Sequence, residues 1–202
     1  MMSSNNIDKL SEYFKKFPGI GERQAGRFVY FLLHQNPSYL SELTALIQDI
    51  KKSIKQCKSC YVFFQGESAE CEVCRDPDTD KTTLMIIEKD ADYKNIRESH
   101  FYRGQYFILG GLVPIVEKNT EKLVRINELL KKIEKEKPKE IVLALSLSPQ
   151  GEHTDIYLRQ VLSPLSQKNN FKISSLGRGL STGIELEYSD PETLKNALKN
   201  RQ

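Results

Sequence analysis

Apolar residues recur along the first fifty positions at helical spacing. Ile7, Leu10, Tyr13, Phe14 and Phe17 share one face of a helix over residues 7–17. Pro18-Gly19-Ile20-Gly21 breaks it. A second helix opens at Glu22 and carries Ala25, Phe28, Val29, Leu32 and Leu33. Pro37 ends it, and Leu40, Leu43, Leu46, Ile47 and Ile50 mark a third. Beyond residue 80 the pattern changes. Leu84–Ile87, Tyr106–Leu109 and Ile141–Leu145 are short continuous apolar runs, and Phe171-Lys172-Ile173 opens a fourth. Leu123 to Ile133 and Ile156 to Leu165 follow helical spacing between them. Apolar strands alternating with helices predict a mainly parallel α/β sheet covered on both faces. Asp190 at N-cap and Pro191 at the first helical position start a last short helix.

The chain of 202 residues is long enough for one medium or two small domains at ~150 residues each. With 39% hydrophobic residues, wholesale disorder is excluded. No stretch reaches the ~18 apolar residues of a membrane span. Met1 to Asn6 lack the basic and apolar regions of a secretory signal, so a cytoplasmic setting is expected. The net charge of +3 hides an uneven distribution. Residues 1–60 carry nine Lys and Arg against five Asp and Glu. Residues 61–118 carry seven against eleven, and residues 119–202 fourteen against eleven. A basic start and an acidic middle point to an anionic partner for the first and a different role for the second.

Cys57-Lys58-Ser59-Cys60 and Cys71-Glu72-Val73-Cys74 form two CxxC knuckles ten residues apart. Two such knuckles close a tetrahedron of thiolates around one Zn²⁺, leaving no position for substrate, so the expected ion is structural, one per chain. Two disulfides or four free thiols are the alternative, disfavoured where no secretory signal is seen. Asp76-Pro77-Asp78-Thr79-Asp80 then forms a polar turn and a boundary.

Phe17 to Arg27 reads as helix, glycine hairpin, helix. Arg23 and Arg27, four apart, project from the same face beside an amide-rich turn. That arrangement is similar to a helix-hairpin-helix motif, which binds DNA phosphates without reading bases. An ordinary helical corner with two solvated arginines is the plainer reading. Glu88 stands at the carboxyl end of the first strand of the α/β region, where open α/β sheets place ligands. The region after Ile141–Leu145 carries no Asp-x-Asp pair; it reads Ser146-Leu147-Ser148-Pro149-Gln150-Gly151-Glu152. Two separated glutamates are poor grounds for metal-assisted phosphoryl transfer, so Glu88 is expected to be a partner-binding or solvated acid. The glycine-rich stretch Gly177 to Gly183 lacks the Gly-Lys-Ser/Thr of a P-loop. Asp76, Asp78 and Asp80 lack the further residues of a calcium loop. His34, His100 and His153 are far apart in sequence.

The order of basic hairpin, four-Cys knuckle and Ile-Ile-Glu strand resembles the RecR family of bacterial recombination mediators over about residues 5–200. The residues that carry the resemblance are Phe17-Pro18-Gly19-Ile20-Gly21, the four cysteines and Ile86-Ile87-Glu88. Tyr106-Phe107-Ile108-Leu109-Gly110-Gly111 and Leu186-Glu187-Tyr188-Ser189-Asp190 add to them. The resemblance implies an α+β chain with four parts. These are a helix-hairpin-helix region at 1–56, a four-Cys zinc finger at 57–80, a Toprim domain at 81–176 and a C-terminal segment at 177–202. It implies a non-catalytic DNA-repair protein, nucleoid-associated, that forms a ring, commonly a tetramer. Such proteins work with RecO, and in many bacteria RecF, to help RecA load onto gapped or single-stranded DNA. Arg23 and Arg27 match the family's DNA-contacting positions, and Glu88 matches the Toprim glutamate linked there to RecO contact. Where the family shows Asn-Pro-Thr-x-Glu-Gly-Glu, this chain has Gln150 in place of the first glutamate and no Asn-Pro. The rival readings are a Mg²⁺-dependent Toprim nuclease or primase and a plain zinc-ribbon interaction module.

Overall fold

The computed structural model describes residues 5–116, 123–177, 179–180, 183 and 185–200, without the side chain of Glu192. The chain divides into two compact units, Met1–Ile54 and Lys55–Gln202.

The first unit is helical. α1 (Asn6–Phe14) starts where the Asn5 side chain accepts from the Ile7 N–H at 3.3 Å. It stops one turn earlier than its apolar spacing predicts, because Gly19 takes a left-handed φ of 75° and the Ile20 N–H bonds back to the Phe17 carbonyl at 3.1 Å. Phe17 therefore sits in the turn, stacked at 5.9 Å on Phe14, whose edge also meets Phe28. α2 (Glu22–Leu33) buries Ala25 and Val29 against α1. Pro37 does not end the second helix, which stops at Leu33 with His34 as its C-cap. It is the first residue of α3 (Pro37–Ser53), capped by Asn36, whose Oδ1 accepts from the Tyr39 N–H at 2.8 Å. None of the α3 residues is buried, and Leu46, Ile47 and Ile50 are exposed.

The second unit opens with the cysteine knuckle: β1 (Ile54–Gln56) and β2 (Phe63–Gln65) form a two-stranded sheet, and α4 (Glu72–Arg75) follows. Then come β3 (Asp80–Ile87), α5 (Asp90–Ser99), β4 (Gly104–Ile108), α6 (Ile126–Glu136), β5 (Glu140–Ala144), α7 (Pro149–Asn169) and β6 (Lys172–Ser175). The four strands β3 to β6 make one parallel sheet in the order β4-β3-β5-β6. Ile86 stands opposite Phe107 on one side and Leu143 on the other. A 3-10 turn (Leu186–Tyr188) and α8 (Pro191–Lys199) end the chain, with Asp190 accepting from the Thr193 N–H at 2.9 Å as its sequence predicts.

Because successive strand residues point to opposite faces, the sheet has two cores. Leu84, Ile86, Phe107, Ile141 and Leu143 face α6 and α7, meeting Leu129, Ile133, Leu158 and Leu162. Met85, Ile87, Tyr106 and Ile108 face the other way. There the cover is Tyr93 and Ile96 of α5 together with Cys57, Cys60, Val62, Cys71 and Val73 of the knuckle. The knuckle is thus a structural layer of the α/β unit as well as a candidate metal site. Among the described residues no helix is long and apolar enough to cross a membrane.

Candidate metal centre, basic hairpin and acidic strand end

The four cysteines converge from two turns. In the first, Tyr61 adopts a left-handed φ of 66° and its N–H bonds to the Cys57 carbonyl at 3.0 Å, which folds Cys57 and Cys60 onto the same side. In the second, Cys71 is the N-cap of α4 and Cys74 lies on its first turn. All four Sγ atoms lie within 4.8 Å of one another, with Cys57 to Cys74 at 3.8 Å and Cys60 to Cys71 at 3.5 Å. A tetrahedral ion with ~2.3 Å bonds to sulfur spaces its ligands about 3.8 Å apart, so the donor set fits. A disulfide brings two sulfurs to about 2.05 Å, which these pairs do not approach. As bare thiols the group is frustrated. Hydrogen bonds with Cys60, Cys71 and Cys74 pull the Cys57 thiol down, and hydrogen bonds with Cys57, Cys71 and Cys74 push the Cys60 thiol up. A divalent cation displaces those protons and removes the conflict.

The knuckle is tied to the sheet at several points. The Ile108 N–H donates to the Cys60 carbonyl at 2.9 Å, and the Phe63 N–H to Asp90 Oδ1 at 3.0 Å. Tyr61 packs edge-on against Phe107 at 5.4 Å and carries the Arg125 guanidinium over its ring at 5.0 Å. From α6, Lys132 Nζ donates to Ser59 Oγ at 2.8 Å. Nothing in the sequence pattern announces Arg125, Lys132 or Asp90 as partners of the knuckle.

In the helical unit, Arg23 and Arg27 are exposed on adjacent turns of α2, as their spacing predicts. Gly21 caps α2 without a side-chain hydrogen bond, so the cap residue offers no acceptor to the first N–H groups of the helix. Among the described residues neither guanidinium is within ion-pair distance of a carboxylate. Glu22 occupies the same first turn.

Glu88 directly follows β3, at the carboxyl end of a central strand. Its side chain is 15% exposed and pairs with Lys89 at 3.8 Å. Its carbonyl accepts from the Gly110 N–H at 3.0 Å, so the strand end is stitched to the Gly110-Gly111 turn. Gly110 is confined to glycine twice over: its φ is 91°, and a Cβ there would meet the Arg125 guanidinium. Glu152 lies in the first turn of α7 and Gln150 reaches the Leu112 carbonyl at 3.5 Å. The four cysteines are the one group among the described residues where three or more His, Cys, Asp or Glu side chains meet at ligating distance. Glu88 and Glu152 therefore do not join a third acid. Sequence reading missed a clamp beside Glu152: Asp155 accepts from Arg159 Nε and from Ser175 Oγ, both at 2.6 Å. This ties α7 to β6. Of the glycine-rich stretch 177–183, Arg178, Ser181 and Thr182 lie outside the described residues.

Two known families match the chain: the Toprim domain over residues 82–177 and the RecR C-terminal family over residues 179–202. Over 196 residues the chain is 34% identical to Recombination protein RecR of Chloroflexus aurantiacus, covering 97% of this chain and 93% of that protein. Recombination protein RecR of Dehalococcoides mccartyi is 32% identical over 97% of this chain and 93% of its own length. That of Prochlorococcus marinus subsp. pastoris is 31% identical over 96% and 94%. With 34% identity across 97% of its length and both family matches, the chain belongs to the RecR family of recombination proteins.

Proposed function

We propose that this chain is a DNA-binding recombination mediator without catalytic activity of its own. The observation that carries the reading is the similarity, over nearly the whole chain, to proteins named for recombination. In this reading the four parts 1–56, 57–80, 81–176 and 177–202 serve DNA contact, zinc binding, partner contact and closure of the C-terminus. Cys57, Cys60, Cys71 and Cys74 hold one Zn²⁺, which supplies no reaction step and staples the layer that covers the second face of the sheet. Arg23 and Arg27 clamp phosphates on gapped or single-stranded DNA, which their exposure and, among the described residues, the absence of a carboxylate at ion-pair distance support.

Glu88 is read as a contact for RecO, with RecF a further partner and RecA loading as the outcome, at the nucleoid in the cytoplasm. Its Lys89 partner, and Gln150 where the family carries a glutamate, suit a recognition acid better than a metal-assisted centre. Self-association into a ring, four copies in the family pattern, is supported by the helical unit. Residues of α1, α2 and α3 line an apolar groove of about 850 Å³, with Leu10, Phe14, Leu40 and Ile47 among its walls. A second copy of this chain is the occupant that would cover it.

The rival reading is a Mg²⁺-dependent Toprim nuclease or primase. Binding and nicking assays on Glu88→Ala separate the two. The mediator reading expects intact fold, zinc and DNA binding, and a partner complex weakened by about 1–3 kcal/mol if the charge is desolvated. Mg²⁺-dependent nicking by the unmutated protein, lost in the variant, overturns it.

A further inference from the structure

Lys132 is a lysine where lysines are seldom found. It lies on α6, between the core residues Leu129 and Ile133, and is only 6% exposed. Among the described residues its ammonium makes one hydrogen bond, to the Ser59 hydroxyl at 2.8 Å. Among the described residues no carboxylate comes within 4.0 Å of it. Glu70 of the knuckle and Glu128 and Glu136, one turn to either side on α6, line the same cleft together with Lys58, Lys131 and Lys135. Glu136 is engaged elsewhere: Oε1 faces Lys135 at 3.6 Å and Oε2 accepts from Gln105 at 3.5 Å. A buried cation without a counter-charge is strongly disfavoured.

The missing negative charge is in the knuckle. Ser59 is the residue between Lys58 and Cys60 in the first CxxC turn, so the hydroxyl that Lys132 grips belongs to the loop that carries two of the four thiolates. Four thiolates and one divalent cation leave a net charge of about −2 on the centre. We infer that Lys132 is a positioning residue of the metal centre. It holds the Cys57–Cys60 turn through Ser59 and compensates the excess negative charge of the tetrathiolate. The same contact links α6, anchored in one core of the sheet, to the knuckle that covers the other face.

This inference rests on the metal reading above, and the test separates the two. Co²⁺ is titrated into the reduced, metal-free full chain, and the thiolate-to-cobalt bands are followed for the unmutated protein, Lys132→Met, Lys132→Arg and Ser59→Ala. Lys132→Met keeps the buried stem and removes the charge. Its Co²⁺ affinity is expected to fall about 10- to 100-fold, the usual effect of losing an outer-shell partner, with the band positions unchanged. The pH of half-release should rise, since protons compete better for uncompensated thiolates. Lys132→Arg should retain most of the affinity, and Ser59→Ala should lose part of it. A Lys132→Met chain that keeps its affinity within about two-fold while losing thermal stability has only a packing role at this position, and overturns the inference. If Lys132→Met does not fold, unchanged Co²⁺ affinity in Ser59→Ala overturns it instead. Absence of the bands in the unmutated protein removes the metal reading and the inference with it.

Discussion

Gly104 and Gly26 show how differently one methyl group weighs at two sites. Gly104 opens β4 beneath Tyr102, and a Cβ there would overlap Thr83 Oγ1 and the Tyr102 hydroxyl. The Tyr102 hydroxyl is fixed by its bond to the Gln105 carbonyl at 2.9 Å, so it has no easy retreat. Gly104→Ala should therefore cost about 1–3 kcal/mol of overpacking. Gly26 lies inside α2, and a Cβ there meets nothing within 4 Å. Gly26→Ala should stabilise by about 0.5–1 kcal/mol, because the helix no longer orders a glycine. Denaturant midpoints of the two variants check both; a Gly104→Ala chain as stable as the parent sinks the first. The cysteines make a second case at this scale. Cys57 and Cys60 are proposed ligands and, at 0% and 1% exposure, core residues too. Cys57→Ser should lose the metal and expose the apolar face formed by Met85, Ile87, Tyr106 and Ile108. The expected result is one zinc per chain by metal analysis in the parent, none in the variant, and aggregation on warming. A folded, reduced parent without zinc refutes the assignment.

Elements were legible in proportion to how strongly their residues repeat. β3, β4 and β5 appear at their apolar runs, since a parallel strand buried on both faces has no polar alternate to confuse it. α5 leaves no such trace. Tyr93 and Ile96 are its only large apolar residues and none of its residues is fully buried, so its sequence reads as a loop. α7 begins seven residues before its first apolar repeat, in the polar turn Pro149-Gln150-Gly151-Glu152. Its signal is local chemistry rather than periodicity. Ser148 accepts from the Gly151 N–H at 3.1 Å, and Pro149 occupies the first helical position. Ser148→Ala should cost about 1 kcal/mol in thermal or denaturant unfolding, and no change would mean the helix start is held by other contacts. The site follows the same rule. The cysteines and the Arg23, Arg27 pair are close in sequence and could be read there. The hydrogen bond of Lys132 with Ser59 spans 73 positions, and no local pattern encodes it.

For the whole molecule, the proposed ring raises the question of how many copies would act on one DNA. The 850 Å³ apolar groove and the unburied α3 support the proposal that another copy completes the helical unit. Light scattering should give a multiple of the 23.2 kDa chain mass, four-fold for the proposed ring. DNA binding reads the same number independently. Each duplex phosphate that the protein no longer neutralises lowers the slope of log K against log salt by about 0.9. Replacing both Arg23 and Arg27 with Ala takes two cations from every protomer that touches DNA. One engaged protomer predicts a slope reduced by about 1.8, and four engaged protomers a reduction of about 7. The weakening should be alike for unrelated sequences, because guanidinium groups on phosphates read no bases. A slope reduction near ~1.8 in a particle that light scattering weighs as a tetramer would mean that only one hairpin engages the strand, which contradicts a ring encircling it. An unchanged slope moves the DNA site off α2 altogether, with Lys51, Lys52, Lys55 and Lys58 the next residues to replace.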